Sequence, residues 1–345
     1  MKKALALPAI PFALLALVGC STRYHDIDTG RSVEVGELVE TDHKIKIGIL
    51  QPVEHVALGL ARQGFVDGLK EEGYVDGENI ILDYRNGGGN DASELTLAKS
   101  LVSKNEINLG IGTGSSQKLK AAEINAGKSN PLLFTAVTDP VSGELVSNVD
   151  EPEGFVTGTS DMNPVAAQIQ LIKECLPNAT KIGILYTQTE INSKVQADMA
   201  EEEAEKQGLQ VEIQTATNSA DIQAAAQRLT QSCQAIYVPT DNNIASNLNA
   251  VKVPCESAHV LLVTGEEGML QGGAHITLSI DYYELGKTTG KMAVSLINGS
   301  KSVKDLPVKY MSTEECEYVL SSSNLAAAGI TLPSAVTQKC RDINA

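Results

Sequence analysis

The sequence predicts an α/β protein of two similar lobes, each a parallel sheet covered by helices on both faces. Three observations carry this reading. From Lys44 onward short β-rich runs alternate with helical segments, the order that wraps helices around a parallel sheet. The run Lys46-Ile47-Gly48-Ile49-Leu50 recurs as Lys181-Ile182-Gly183-Ile184-Leu185, each time followed by a polar loop and a helix that ends in glycine before another strand. A strand ends in Thr138-Asp139-Pro140 in the first half and in Thr240-Asp241-Asn242 in the second.

The elements follow in order. Residues 45–50 are β-branched and apolar enough for a strand, and residues 58–72 read as a helix with Leu58, Phe65, Val66 and Leu69 on its inner face, stopped by Gly73. Strands are expected at 80–84, 109–111 and 132–136, separated by helices at 92–103 and 116–126. In the second half the strand at 181–185 is followed by strands at 211–214, 236–238 and 260–263. Paired open sheets of this kind hold ligands outside the carboxyl ends of their strands. Function is therefore expected in a cleft between two sets of strand ends.

The chain starts with a basic pair, Lys2 and Lys3, and an apolar run to Leu17-Val18-Gly19-Cys20. The run is too short and too interrupted by proline to span a bilayer, and small residues precede a single cysteine. It resembles a lipobox, which implies cleavage after residue 19, a diacylglycerol on the Cys20 thiol and an acyl chain such as palmitate on its amine. Several acyl chains anchor far better than one. Residues 21–43 are polar and lack the apolar density to repay ordering, so a flexible tether is expected there.

The net charge is −16, with no basic cluster interleaved with aromatics, which argues against nucleic acid as a partner. Beyond Cys20 the cysteines are Cys175, Cys233, Cys255, Cys316 and Cys340, none in a C-x-x-C pair or at metal spacing from a histidine, so no metal is expected. Cys175 with Cys233, and Cys316 with Cys340, are candidate bridges, but sequence does not fix connectivity.

Gly110-Ile111-Gly112-Thr113-Gly114-Ser115-Ser116 lies where a strand turns into a helix. Its free N–H groups favour an anion, with hydroxyls of Thr113, Ser115 and Ser116 at hand, although a glycine-assisted helix start without ligand reads equally well. It is a poor dinucleotide fingerprint, and no cofactor is expected. Asp139, Asp241 and Asp281 each follow a β-rich run. Any one of them also reads as an N-cap or turn residue, but three such tips point to at least one that meets a ligand ammonium. Anion site plus carboxylate suggests a zwitterion. There is no G-x-S-x-G, Walker A or H-E-x-x-H motif, so the reading is not an enzyme. His55 is the one histidine placed to face the cleft. Tryptophan is absent, which makes a stacked carbohydrate platform hard to assemble.

Six segments carry a resemblance to a known family: Ile47-Gly48-Ile49-Leu50-Gln51, Gln63-Gly64-Phe65-Val66-Asp67-Gly68-Leu69, Phe134-Thr135-Ala136-Val137-Thr138-Asp139-Pro140-Val141, Leu176-Pro177-Asn178-Ala179, Ala235-Ile236-Tyr237-Val238-Pro239-Thr240-Asp241-Asn242 and Ile280-Asp281-Tyr282-Tyr283-Glu284-Leu285-Gly286. Together they resemble the ABC-transporter substrate-binding lipoprotein family that includes the tryptophan-binding TrpX type. The resemblance implies a type I periplasmic-binding fold of two Rossmann-like lobes joined by three crossovers. It also implies a small solute, mainly an amino acid and in cases an aromatic one, delivered to an ABC permease with its ATPase from outside the cytoplasm. Domains would then be a signal peptide at 1–19, a tether at 20–44, lobe 1 at 45–158 plus about 281–308, and lobe 2 at 159–280 plus about 309–345. Carried residue by residue, it points to Gln51, His55, Thr113, Ser115, Ser116, Thr138 and Asp139 in lobe 1 and to Asn192, Asp241 and Asp281 opposite. Two departures stand out. Where the family often has His-Pro-Ala-Leu-Asp this chain has His55-Val56-Ala57-Leu58-Gly59, and residues 253–265 are unusual, with Cys255 and His259. The rival readings are an exported enzyme on the same scaffold, using His55 and a cleft carboxylate, and a ligand-sensing or adhesive surface lipoprotein.

Overall fold

A computed structural model of the chain describes residues 25–345; the signal-peptide reading and Cys20 lie outside them. The first lobe runs β1 (Ile45–Gln51), α1 (Val56–Glu71), β2 (Ile80–Asn86), α2 (Asp91–Lys104), β3 (Ile107–Ile111), α3 (Thr113–Asn125), β4 (Leu132–Thr135) and β5 (Val156–Ser160). The chain crosses to the second lobe, with α4 (Val165–Cys175), β6 (Lys181–Thr187), α5 (Ile191–Lys206), β7 (Gln210–Ala216), α6 (Ser219–Leu229), β8 (Ala235–Val238), α7 (Asn242–Ser246), α8 (Asn249–Ala258), β9 (Leu261–Thr264), α9 (Gly268–Gly272) and β10 (Ile276–Ser279). It returns through residues 280–281 for α10 (Tyr282–Ile297) and β11 (Lys309–Tyr310). A last passage carries it back for β12 (Glu317–Leu320), α11 (Ser322–Ala327), α12 (Ser334–Thr337) and β13 (Arg341–Asp342).

The sheets have the orders β11-β5-β4-β3-β1-β2 and β13-β12-β10-β9-β8-β6-β7. Every pairing is parallel except that of β10 with β12. This is the doubly covered α/β architecture with three crossovers that the sequence pattern and the resemblance imply. The repeated Lys-Ile-Gly-Ile-Leu run falls on β1 and β6, each flanked by the next strand in sequence and the one after it. Apolar side chains form a layer on each face of each sheet, as parallel strands buried on both sides require.

The first and third passages between the lobes lie about two residues beyond the expected boundaries at 158 and 308, and the second lies at the expected 280–281. β5 runs to Ser160, and β11 adds Lys309 and Tyr310 to the sheet of the first lobe. After the second crossover α10 packs against α1 at very short range. A Cβ at Gly64 would overlap the Tyr283 carbonyl and one at Gly286 the Ala61 carbonyl, so only glycine permits this approach.

Residues 25–43 contain no helix or strand, yet they are held on the first lobe rather than free, which corrects the tether expected there over the described residues. The Ile27 N–H donates to Gln63 Oε1 at 2.8 Å, Asp26 pairs with Lys70 at 2.7 Å, and the Gly36 N–H donates to the Lys70 carbonyl at 2.9 Å. Arg31 reaches Asp281 at 2.7 Å and lies 4.5 Å above the Tyr283 ring.

Neither cysteine pairing suggested by sequence order is present in the structure. Cys175, Cys233, Cys255, Cys316 and Cys340 are all free thiols. Cys175 belongs to the apolar layer on one face of the second sheet and Cys233 to the layer on the other. Cys316 and Cys340 each donate to a carbonyl of their own turn, Ser312 and Val336.

Candidate functional site

The carboxyl ends of β1, β3 and β4 face those of β6, β8 and β9 across a cavity of about 370 Å³, within the range of small-molecule sites. His55, Gly112, Thr113, Gly114, Ala136 and Thr138 line it from the first lobe. Thr189, Glu190, Asn192, Thr240, Asn242 and Glu266 line it from the second, and Asp161 and Tyr282 come from the crossovers.

One wall is built to receive negative charge. α3 starts at Thr113 behind Gly112, whose φ of 79° suits glycine, and no side chain caps it. Its first N–H groups, those of the cavity-lining Thr113 and Gly114 among them, have no helical partner. α1 and α5 start at the same cavity behind His55 and Glu190, also without a side-chain cap bond. Lys118 lines this wall but is paired with Asp91 at 2.8 Å and Glu94 at 2.5 Å. Beside it Ala136 holds a left-handed φ of 54°, a strained conformation for a residue with a Cβ.

Another part of the lining is built for positive charge. Asp161 is buried and accepts from Thr138 Oγ1 and from the Tyr282 hydroxyl, each at 2.9 Å. Glu266 is 1% exposed and accepts the Gly268 N–H through Oε2 at 2.5 Å, while its Oε1 has no partner. Burial pushes the Glu266 carboxyl up to about 7, with the Glu267 and Asp161 charges adding to the rise and the Gly268 N–H opposing it. Burial also raises Asp161, against its two hydroxyl donors. His55 Nε2 lies 3.7 Å from Glu266 Oε1, outside hydrogen-bond reach, and its Nδ1 is unpartnered. Burial lowers the His55 pKa, keeping the ring neutral. Two buried carboxyl groups with one unpaired oxygen need a cation or a proton.

Of the residues singled out from the sequence, His55, Thr113, Thr138 and Asn192 line the cavity. The others do not line it and have partners elsewhere. Gln51 is fully buried, accepting from Arg62 at 2.7 Å and donating to the Val53 carbonyl at 2.7 Å. The Ser115 hydroxyl donates to Glu94 and that of Ser116 to the Gly112 carbonyl at 2.8 Å, so both point behind the helix start. The three aspartate tips prove to be caps and turns. Asp139 accepts from the Val141 and Ser142 N–H groups at 3.0 Å. Asp241 is fully buried with its oxygens filled by Thr187 N–H and hydroxyl and by the Ile244 N–H. Asp281 caps α10 and pairs with Arg31.

Sequence reasoning missed Asp161, Glu190, Glu266 and Tyr282. Glu266 carried the same signal as the aspartates, a carboxylate just beyond the apolar run Leu261-Leu262-Val263. Asp161 follows Val156-Thr157-Gly158-Thr159-Ser160, a strand so polar that its end was not recognisable.

Known proteins are similar to this chain over most of its length. The model of a family described as ABC transporter substrate binding protein matches residues 46–343. A tyrosine-binding protein of Clostridioides difficile (strain R20291) is 34% identical over 312 residues, covering 90% of this chain and 87% of that one. A domain from Streptococcus pneumonia, solved in complex with L-Trp, is 36% identical with a TM-score of 0.80, covering 87% of this chain and 99% of that one. The ligand-free, open structure of a Clostridium difficile substrate binding protein with adhesive properties has the same identity and coverage but a TM-score of 0.70. With a model match spanning both lobes and relatives of this identity covered almost end to end, the chain belongs to the ABC transporter substrate binding protein family, whose members bind solutes outside the cytoplasm and work with ABC transporter components.

Proposed function

We propose that this protein captures a free amino acid, an aromatic one such as tyrosine or tryptophan, between its lobes and presents it to an ABC permease while held on the membrane by lipid on Cys20. The observation that carries the ligand assignment is the pairing of an uncapped α3 start with the buried Asp161 and Glu266 across one cavity. The ligand carboxylate would sit on the N–H groups of Thr113 and Gly114, and its ammonium would meet Thr138, Asp161 and Glu266. The aromatic preference rests on the tyrosine-binding and L-Trp-bound relatives. The anchor rests on the lipobox-like Leu17-Val18-Gly19-Cys20; among the described residues no helix is long and apolar enough to cross a membrane.

Calorimetric titration with L-tyrosine, L-tryptophan and 3-(4-hydroxyphenyl)propionate tests the ligand. The amino acids should bind and the analogue without an ammonium should not; equal binding of the analogue removes the cation site. Recovery of unchanged amino acid after incubation fits a binding protein, whereas turnover would revive the enzyme reading. Cys20→Ser should move the protein from the membrane fraction to the soluble one.

A further inference from the structure

The chain ends in a segment that crosses behind the second lobe and meets the end of α4. Lys339 pairs with Glu174 at 2.5 Å, so the residues immediately before Cys340 and Cys175 are already joined by an ion pair. Both cysteines belong to the same apolar layer of that lobe. Lys339 is also fixed from the other side, its ammonium 3.7 Å from the centre of the Tyr318 ring. Cys175 is 2% exposed, while Cys340 is half-buried.

We propose that Cys175 and Cys340 form a disulfide in the exported protein, a covalent site that fastens the C-terminal segment to α4.

Cys316 also packs against this layer, but only Cys340 has its neighbouring residue tied to the neighbour of Cys175. Burial pushes Cys175 up to about 12, and of the other cysteines only Cys340 adds to the rise. The charges acting on Cys233 are Glu212 and Lys181, and those on Cys316 are Glu315 and Glu314. Work outside the cytoplasm places the pair where thiols oxidise and stay oxidised. Two S–H bonds break and one S–S bond forms. The two electrons and two protons reduce the disulfide of an oxidant, an exported dithiol protein or glutathione disulfide, to two thiols. Attack starts at the more exposed Cys340, whose thiol now donates to the Val336 carbonyl at 3.2 Å and loses that bond without leaving a buried amide unpaired. Raised thiol pKa values at both positions, about 12 for Cys175 and about 11 for Cys340, make closure slow in the folded protein.

The bond has a structural use. The next residue, Arg341, pairs with Glu267 at 2.8 Å and with Glu317 at 2.9 Å. Glu267 adjoins the cavity residue Glu266, so fastening residue 340 backs the loop that carries the cleft carboxyl. β13 is also an edge strand of two residues, which alone holds a chain end weakly.

The test is peptide mapping without reduction of full-length protein recovered from an oxidising compartment, beside protein refolded with glutathione disulfide. A cross-linked peptide joining Cys175 to Cys340 is expected, with Cys233, Cys255 and Cys316 alkylated after unfolding. Because Cys175 is buried, the informative variant is Cys340→Ser, which should remove the cross-link and speed carboxypeptidase digestion of the tail several-fold. A bridge from Cys175 to Cys233, a bridge from Cys316 to Cys340, or alkylation of all five thiols in both preparations would overturn the proposal.

Discussion

Asp241 and Glu266 stand at equivalent places in the second lobe, each just beyond a strand end and each buried, with exposures of 0% and 1%. They differ in what fills their oxygens. Asp241 has three donors on its carboxylate, from Thr187 and Ile244, and holds the start of α7. Glu266 has backbone donors only from the start of α9, the Gly268 N–H foremost, and an oxygen that nothing meets. Burial alone therefore does not mark a ligand group. Burial with an unmet hydrogen-bonding need at the cavity wall does, because a ligand, a water or a proton entering the cavity relieves it.

The sharpest way to break this contrast is to neutralise Glu266. Glu266→Gln keeps the shape and removes the charge, so amino acid affinity should fall by about 2–3 kcal/mol, roughly 30-fold to 150-fold, as expected when one side of a buried charge pair is lost. The melting temperature of the ligand-free protein should not fall, since a poorly solvated carboxyl has been removed. Calorimetry and thermal unfolding on one preparation check both halves. Unchanged affinity would return Glu266 to the scaffold.

Asp241→Ala should show the reverse pattern. It strips a cap and leaves the Thr187 and Ile244 N–H groups buried without an acceptor, at a cost of about 2 kcal/mol in unfolding free energy. Affinity of the folded fraction should stay within about threefold, because other side chains of the cleft meet the ligand. A large affinity loss with full stability would make Asp241 a ligand group after all.

pH probes the same contrast without mutation. In the ligand-free cleft Glu266 titrates at about 7, so below that pH it holds a proton that an incoming ammonium must displace. Binding then releases a proton, and affinity is full above pH 7 and lost as the pH falls. The expected loss between pH 8 and pH 6 is about tenfold, and it should vanish in Glu266→Gln. His55 does not supply this dependence, because burial holds its pKa below the usual histidine value and its ring neutral across most of that interval.

Much of the fold was readable because it rests on patterns that repeat. The Lys-Ile-Gly-Ile-Leu runs became β1 and β6, and helices that end in Gly73 and Gly208 led into the next strands, each glycine taking the positive φ that ends a helix cleanly. The α3 start was readable for the same reason, as glycines and hydroxyls after a strand mark a helix N-terminus. The cation end was not. A strand-end carboxylate looks the same in sequence whether its oxygens are filled or empty, and the filling groups here are distant in the chain, Thr187 for Asp241 and Tyr282 for Asp161. The hold on residues 25–43 was hidden likewise, since its partners on α1 and α10 lie far along the chain.

The smallest effect belongs to Asp139, an aspartate tip whose hydrogen bonds are all exposed. Asp139 accepts from Val141 and Ser142 N–H groups and from the Ser142 hydroxyl at 2.6 Å, an ordinary capped turn at the surface. Its partners regain water when it is removed, so Asp139→Ala should cost about 0.5–1 kcal/mol of stability. Its neighbour Thr138, one residue earlier, donates to Asp161 inside the cavity, and Thr138→Val should instead weaken ligand binding by about 1 kcal/mol at nearly unchanged melting temperature. One residue of sequence separates the two roles. If Asp139→Ala lowered affinity more than Thr138→Val did, the boundary between scaffold and cleft would lie one residue further out than the hydrogen bonds place it.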